Sequence, residues 1–468
     1  MNIFFGTDGW RGLLDKEINE KTIEIVAQAF ADYLNEPNKE NSVAVGFDGR
    51  KNSKLFAKIF AQVLSGNNIK VLISDRVIPT PVLSFTVKNK SLSAGVMITA
   101  SHNPPEYNGV KFKAGYGGPF LTEETANVEK LLNKNLIQKS NNLITQENFL
   151  IDYFNHIEKL VDFELIRRAR LTVLIDSMAG AGADYLERIL LAHNIPAKTI
   201  YQLPDEKFFG RLAEPIEKNL IPLSDELKKG NYSLGLATDG DADRCGVMLD
   251  DGSWLSAQET ILLLADFCVN TKKLKGNIVK TSSVTDKLKT FFENRQRKVI
   301  DVQVGFKYIT EVMIKQTIAF GCEESGGFGY GMHIPERDGI LSSLFIIEML
   351  ANSGFNKLSE YVNHKRNEFG NIFYDRIDLK YDKPDRNNLL PELYKKYLDK
   401  ISDFSVVYVK PFYSSRDVIN GLKFFLEGNN RWLLIRSSET EPIVRIYAEG
   451  QSEEEVEQFL KFGKELFN

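Results

Sequence analysis

Val43-Ala44-Val45-Gly46-Phe47, followed by the stretch from Ser53 to Leu64, decides the fold. The first run is short and apolar, as a buried strand is. The second places Leu55, Phe56, Ile59, Phe60 and Val63 on one helical stripe. Val71-Leu72-Ile73 and Val96-Met97-Ile98 repeat the strand signal. Strands separated by helices predict a mostly parallel, doubly wound sheet. The same unit returns at Leu171 to Ile175, which leads through Asp176 and a small-residue turn into a helix ending near Leu191. It returns again at Ile278-Val279-Lys280, before a Ser/Thr turn and a helix from Asp286 to Phe292. Spacings of roughly 110–130 residues point to three related α/β domains.

Beyond them the pattern changes. Phe404 to Val409, Leu422 to Leu426, Trp432 to Ile435 and Ile443 to Ala448 are closely spaced strands, and Glu453 to Leu466 is a closing helix. The expected architecture is α/β. It has three doubly wound α/β domains, at 1–150, 151–251 and 252–369, and a C-terminal α+β domain with an antiparallel sheet at 370–468. A chain of 468 residues accommodates about three to four such domains.

Composition narrows the function. Hydrophobic content of 43%, charged content of 26% and a net charge of -4 exclude a polybasic nucleic-acid or membrane binder. Three scattered cysteines, Cys245, Cys268 and Cys322, argue against a disulfide framework and for a reducing compartment. The apolar run Ile3-Phe4-Phe5 is too short for a signal peptide, and no stretch of about 18 apolar residues suggests a membrane helix. A cytoplasmic location is expected.

Four loops follow strands, where parallel sheets gather function. Thr99-Ala100-Ser101-His102-Asn103-Pro104-Pro105 offers a hydroxyl beside a histidine, with Lys111 ten residues on. It reads as an activated nucleophile or as a plain Ser/Asn/Pro turn. No Gly-x-Ser-x-Gly elbow accompanies it, so a serine hydrolase is not indicated. Asp239-Gly240-Asp241-Ala242-Asp243-Arg244 sets three carboxylates at alternate positions, on one side if the segment stays extended. Their mutual repulsion calls for a divalent cation, and a solvated acidic turn is the plain alternative. Arg244 and Asp250 stand where a calcium loop needs Gly and Glu, so Mg²⁺ is favoured. Gly321-Cys322-Glu323-Glu324-Ser325-Gly326-Gly327 suits sugar hydroxyls or is a glycine turn with exposed acids. Arg436-Ser437-Ser438-Glu439-Thr440 suits a phosphate dianion or is a polar hairpin.

The four loops in this order, together with Gly6-Thr7-Asp8-Gly9-Trp10-Arg11-Gly12, resemble the α-D-phosphohexomutases along the whole chain. The resemblance implies four domains around a central cleft. It implies reversible transfer of phosphate between C1 and C6 of glucose or mannose phosphate, through a hexose 1,6-bisphosphate. Ser101 matches the family's phosphoserine. Asp239, Asp241 and Asp243 match its ligands for one Mg²⁺, completed by Ser101. Arg11, Lys111 and Arg244 match its active-site cations, and His102 adjoins the phosphoserine. Glu324 and Ser325 match the readers of sugar hydroxyls, and Gly305-Phe306-Lys307 the specificity turn. Arg436, Ser438 and Thr440 match the binder of the unreacting phosphate.

Departures exist. Glu439 stands where the family often has a small residue, and Gly327 and Phe306 stand where some members have histidine. Phosphoglucosamine mutases typically carry Gln at the position of Glu324, which favours glucose or mannose here. The rival expectations are a phosphoglucosamine mutase, a sugar-phosphate binder without turnover, and a Mg²⁺-dependent phosphatase with an aspartyl nucleophile. Hexose phosphates are the expected partners, with no nucleic acid or membrane. Both monomer and dimer fit the sequence.

Overall fold

The computed structural model describes residues 3–6, 8–35, 41–293, 295–381, 383, 386–396, 398–414, 418–437 and 443–467. They form two compact units, Met1–Ile278 with Gly305–Lys365, and Val279–Val304 with Arg366–Asn468.

In the first unit, β1 (Trp10–Leu13), β2 (Ser42–Phe47), β3 (Lys70–Ser74), β4 (Ala94–Ile98), β5 (Tyr107–Ala114) and β6 (Ile144–Glu147) form one sheet in the order β1-β5-β4-β2-β3-β6. β2 pairs in parallel with β3 and β4, and β3 with β6. β5 runs antiparallel to both β4 and β1. Three of the five pairings are parallel, as expected of a mostly parallel sheet, and β5 and β1 add an antiparallel edge. The helix Glu20–Leu34 begins at a capping box in which Asn19 and Thr22 satisfy each other's backbone N–H. Its Phe30 stacks on Phe112 of β5 with ring centroids 4.3 Å apart, and Phe60 of the helix Ser53–Gly66 meets both rings edge-on. Truncating one such fully buried ring costs roughly 3–5 kcal/mol. Leu55, expected on the buried stripe, is 41% exposed. It lies one residue before Phe56, about 100° round the helix, and falls outside the apolar face.

A second sheet takes β7 (Val173–Asp176), β8 (Ala197–Ile200), β9 (Leu234–Thr238), β10 (Cys245–Leu249) and β11 (Trp254–Leu255) in the order β11-β10-β9-β7-β8. β9 is parallel to β7 and antiparallel to β10. The strands Ile318–Cys322 and Phe328–Tyr330 form a further antiparallel pair. The helix Gly339–Ser353 has almost every residue buried, which its all-round apolar sequence requires. The Ser101 loop, the aspartate turn and the glutamate loop thus occupy one position in three repeats, the connection between adjacent antiparallel strands.

The second unit carries an antiparallel sheet in the order Phe373–Lys380, Ile443–Gly450, Trp432–Ser437, Ile419–Leu426, Phe404–Tyr413 and Lys400–Ile401. The helix Glu453–Glu465, capped by Ser452, packs its Val456, Phe459 and Leu460 into that sheet's core. The expected C-terminal strands and helix are all present. Under the sheet lies a buried group of charges, with Lys280 and Lys423 facing Asp286 and Asp301.

Candidate active site

Ser101 sits in the left-handed region, at φ 52°, and is almost wholly buried. Its Oγ donates to Asp239 Oδ2 at 3.0 Å. Gly240 makes that approach feasible, since a Cβ there would lie 2.3 Å from the Ser101 carbonyl oxygen. The aspartates converge through a tight turn rather than along an extended segment. Ala242 N donates to Asp239 O at 3.0 Å, and Ala242 has φ 57°. Asp239 Oδ1 accepts the backbone N–H groups of Asp243 and Arg244.

All three carboxylates are fully buried, with ligand atoms within 4.8 Å of one another. Burial raises the Asp239 pKa well above the ordinary value, and Asp243 and Asp241 add to it. Burial also opposes ionisation of Asp241. Lys111 outweighs it, with Thr80 donating a further hydrogen bond, and holds Asp241 below the usual carboxylate range. The Oδ1 atoms of Asp241 and Asp243 are buried and accept no hydrogen bond. Converging carboxylate oxygens, two of them without a donor, fit a hard divalent cation. The triad can hold a metal ion.

Lys111 Nζ lies 2.8 Å from Asp241, 2.9 Å from Asp243 and 2.9 Å from Asp8. Burial would depress its pKa, but these carboxylates raise it well above the usual lysine value. Arg11 donates to Asn103 Oδ1 at 2.7 Å and lies 3.5 Å from Asp8. The Arg244 guanidinium is 4.0 Å from Asp239 and 3.9 Å from Asp243. His102 Nδ1 is 3.4 Å from Ser101 Oγ.

The glutamate loop joins the same site through its backbone. Arg244 and Gly327 form a β-bridge, and Cys245 N donates to Gly326 O at 2.9 Å. Gly326 has φ 84°, and a Cβ there would lie 2.4 Å from Cys245 O. Glu324 and Ser325 are half-exposed at the loop's tip, whereas Glu323 is buried. Burial pushes the Glu323 pKa up to about 7, with Arg337 opposing the rise. Gly305, at φ 130°, caps the helix Phe306–Lys315, which opens with the buried Lys307.

Two residues escape the sequence reading. Arg337 Nη2 donates to Asp8 at 2.6 Å and to Asp243 at 2.7 Å, and its Nη1 to Glu323 at 3.3 Å. Asp8 is thereby a shared acceptor for Lys111 and Arg337. Asp8 lies inside the Gly6 to Gly12 motif, where the resemblance assigns a role only to Arg11. Arg337 lies in Pro335-Glu336-Arg337-Asp338, which reads as a polar turn. Three consecutive charged residues between Pro335 and Gly339, ahead of an apolar helix, are the signal that could have found it. In the second unit, Arg436 is the penultimate residue of the strand Trp432–Ser437 and is half-buried. Ser438, Glu439 and Thr440 lie outside the described residues.

Family models of phosphoglucomutase/phosphomannomutase match the chain four times. The α/β/α domains I, II and III match residues 2–139, 151–252 and 256–369, and the C-terminal domain matches 390–462. The chain is 29% identical to a phosphoglucomutase/phosphomannomutase of Thermococcus kodakarensis, over all of this chain and 98% of the relative. It is 31% identical to a phosphoglucosamine mutase of Methanocaldococcus jannaschii, again over 100% and 98%. Its fold superposes on the crystal structure of a putative phosphomannomutase from Thermus thermophilus with a TM-score of 0.86, at 33% identity, covering 100% of this chain and 99% of the other. The three α/β domains, the C-terminal antiparallel sheet and the full-length likeness agree, and the chain belongs to the phosphoglucomutase/phosphomannomutase family, the phosphohexomutases.

Proposed function

We propose that this phosphohexomutase moves phosphate between C1 and C6 of glucose and mannose phosphates through phospho-Ser101 and a hexose 1,6-bisphosphate. The observation that carries the reading is the 3.0 Å hydrogen bond from Ser101 Oγ into the buried aspartate triad. In the first transfer the Ser101 O–P bond breaks and a sugar O–P bond forms, and the sugar hydroxyl's proton passes to the serine oxygen. The second transfer reverses this at the other sugar oxygen.

The residues that would hold Mg²⁺ are Asp239, Asp241 and Asp243, with Ser101. When bound, the ion supplies Lewis-acid neutralisation of phosphoryl charge. Lys111 is held protonated by three carboxylates and acts as a fixed cation rather than a base. Arg244 and Arg11 complete the positive wall facing the phosphoryl oxygens. His102 Nδ1, 3.4 Å from Oγ, is the group placed to handle the serine proton. Glu324, Ser325 and the turn at Gly305 and Lys307 read the sugar. Arg436, with Ser438 and Thr440, binds a phosphate in the second unit. Two named relatives, one a phosphoglucomutase/phosphomannomutase and one a phosphoglucosamine mutase, differ in the sugar their names give. A carboxylate rather than an amide at Glu324 supports the neutral sugars. The buried Cys245, Cys268 and Cys322, scattered along the chain, support a cytoplasmic setting. No helix among the described residues is long and apolar enough to cross a membrane.

The test is a side-by-side assay of glucose, mannose, glucosamine and N-acetylglucosamine 1-phosphates with Mg²⁺ and trace bisphosphate. Glucose or mannose should lead in kcat/KM by about tenfold or more. A lead for glucosamine overturns the sugar assignment. Near wild-type turnover by Ser101→Ala overturns the phosphoserine route, and net release of inorganic phosphate makes the protein a phosphatase.

A further inference from the structure

The Ser101 loop is held from behind by a guanidinium that takes no part in the chemistry above. The Arg50 side chain is completely buried. Its Nη2 donates to the carbonyls of Ser101 and Asn103, each at 2.6 Å. Its Nη1 donates to the carbonyls of Pro104 at 2.8 Å and Tyr107 at 3.0 Å. Four of the seven carbonyls from Ser101 to Tyr107 therefore converge on one planar fork, a geometry that lysine lacks.

Asp48 ties this fork to the serine a second time. Its Oδ2 lies 3.2 Å from Arg50 Nε and accepts Thr99 Oγ1 at 2.6 Å, and Thr99 Oγ1 accepts the Ser101 backbone N–H at 2.9 Å. Its Oδ1 accepts Ser53 Oγ and the Arg50 N–H. Ser101 is thus gripped at both its N–H and its carbonyl while its φ of 52° lies in a region that residues with a Cβ disfavour. One face of the guanidinium is covered by Phe208, whose ring centroid is 4.8 Å from Arg50 Cζ. Phe208 reaches it from a segment in which Phe208, Phe209 and Gly210 have φ of 50°, 51° and 77°. Asp205 Oδ1 holds that segment by accepting the N–H groups of Lys207 and Phe209. A left-handed run of this kind persists only when its surroundings determine it, and the contact it delivers is the one on Arg50.

We propose that Arg50, braced by Asp48 and roofed by Phe208, is the positioning residue that fixes the left-handed Ser101 loop and aims Oγ at the aspartate triad. The inference rests on the phosphoserine reading. It predicts that loosening the fork slows transfer to and from Ser101 far more than it weakens binding of metal and sugar phosphate, because the three aspartates of the metal site lie outside the loop that Arg50 holds.

The experiment uses the full-length protein with glucose 1,6-bisphosphate and Mg²⁺. The rate at which the Ser101 peptide acquires one phosphoryl group is followed by mass spectrometry. Steady-state kcat, KM and the Mg²⁺ dissociation constant are measured on the same samples. If wild type takes up no phosphate on Ser101, the phosphoserine reading fails and the positioning inference falls with it. With wild-type uptake established, Arg50→Lys should lower both the uptake rate and kcat by about 100-fold, the scale of a small misplacement of a reacting group. KM and the Mg²⁺ constant should stay within about threefold. Phe208→Leu keeps an apolar side chain over the fork and removes the ring. It should lower uptake by about tenfold, with the same split between kcat and KM. If Arg50→Lys does not fold, Phe208→Leu decides. Uptake per folded molecule at the wild-type rate, or a loss shared equally by kcat and Mg²⁺ affinity, overturns the proposal.

Discussion

Two buried groups of charges in this molecule use the same residue types for opposite ends. In the first unit, Asp8, Asp239, Asp241 and Asp243 surround Lys111 and Arg337. In the second, Asp286 and Asp301 face Lys280, Lys289 and Lys423. The first has more carboxylates than close cations, and burial with like charges pushes Asp239 well above the ordinary value. The second reverses the balance. Burial and neighbouring lysines act on Lys423, whose pKa falls to about 8. Its surplus cations end on backbone, with Lys280 donating to Val284 O and Lys423 to Ser282 O. A site is left short of positive charge, whereas a staple is closed on its own polypeptide.

The largest expected effect tests the staple. Asp286→Asn leaves Lys280 and Lys423 without their closest carboxylate, and breaking a buried pair costs roughly 3–5 kcal/mol of stability. Urea denaturation should show that loss, while calorimetric Mg²⁺ binding by the folded fraction stays unchanged. Asp243→Asn should do the converse. Metal affinity should fall about 100-fold with a smaller change in unfolding free energy, and unchanged affinity would dissolve the distinction between the two clusters.

Glu323 gives a pH signature. Its folded pKa of about 7 lies above the model-peptide value of 4.5. Between those values the unfolded chain has released the proton and the folded chain retains it. Stability from this group therefore declines as pH rises from about 4.5 to 7 and is level above. Glu323→Gln should flatten that part of a pH series of denaturation midpoints. The smallest effect belongs to Lys423→Met. The folded state prefers neutral Lys423, so its contribution rises as pH climbs from about 8 to 10.5. The variant should lose that rise and keep turnover within about twofold.

Legibility in the sequence follows how local the cause is. β2, β4 and β9 are readable because an apolar run carries its own signal. The aspartates are readable because three carboxylates within five residues repel one another unless a cation joins them. The Ser101 loop by itself reads as a nucleophile or as a plain turn, and its role follows only from the resemblance carried by the four loops in order. The three carboxylate partners of Lys111 are not readable, since they come from two distant segments. Arg337 and Arg50 carry no local mark. Arg337 meets Asp8 across 329 positions, and the carbonyls on Arg50 are supplied more than 50 positions away. No periodicity announces such a partner. Lys280 and Lys423 sit inside strands, where a lone lysine reads as a solvent-facing residue, and only tertiary packing buries them. The extended geometry expected of the aspartates gives way to a turn because Gly240 and Ala242 supply the bend.

The backbone splice between Cys245 and Gly326 has an evolutionary corollary. A residue inserted into 323–327 would drag Arg244 and the carboxylate turn with it, since main chain touches main chain at the splice. On the proposed reading, in which Glu324 and Ser325 meet the sugar, preference changes by exchanging side chains on a segment of constant length. A protein engineer retargeting the enzyme inherits the same restriction, and should build libraries at 323–325 by substitution and leave the spacing untouched.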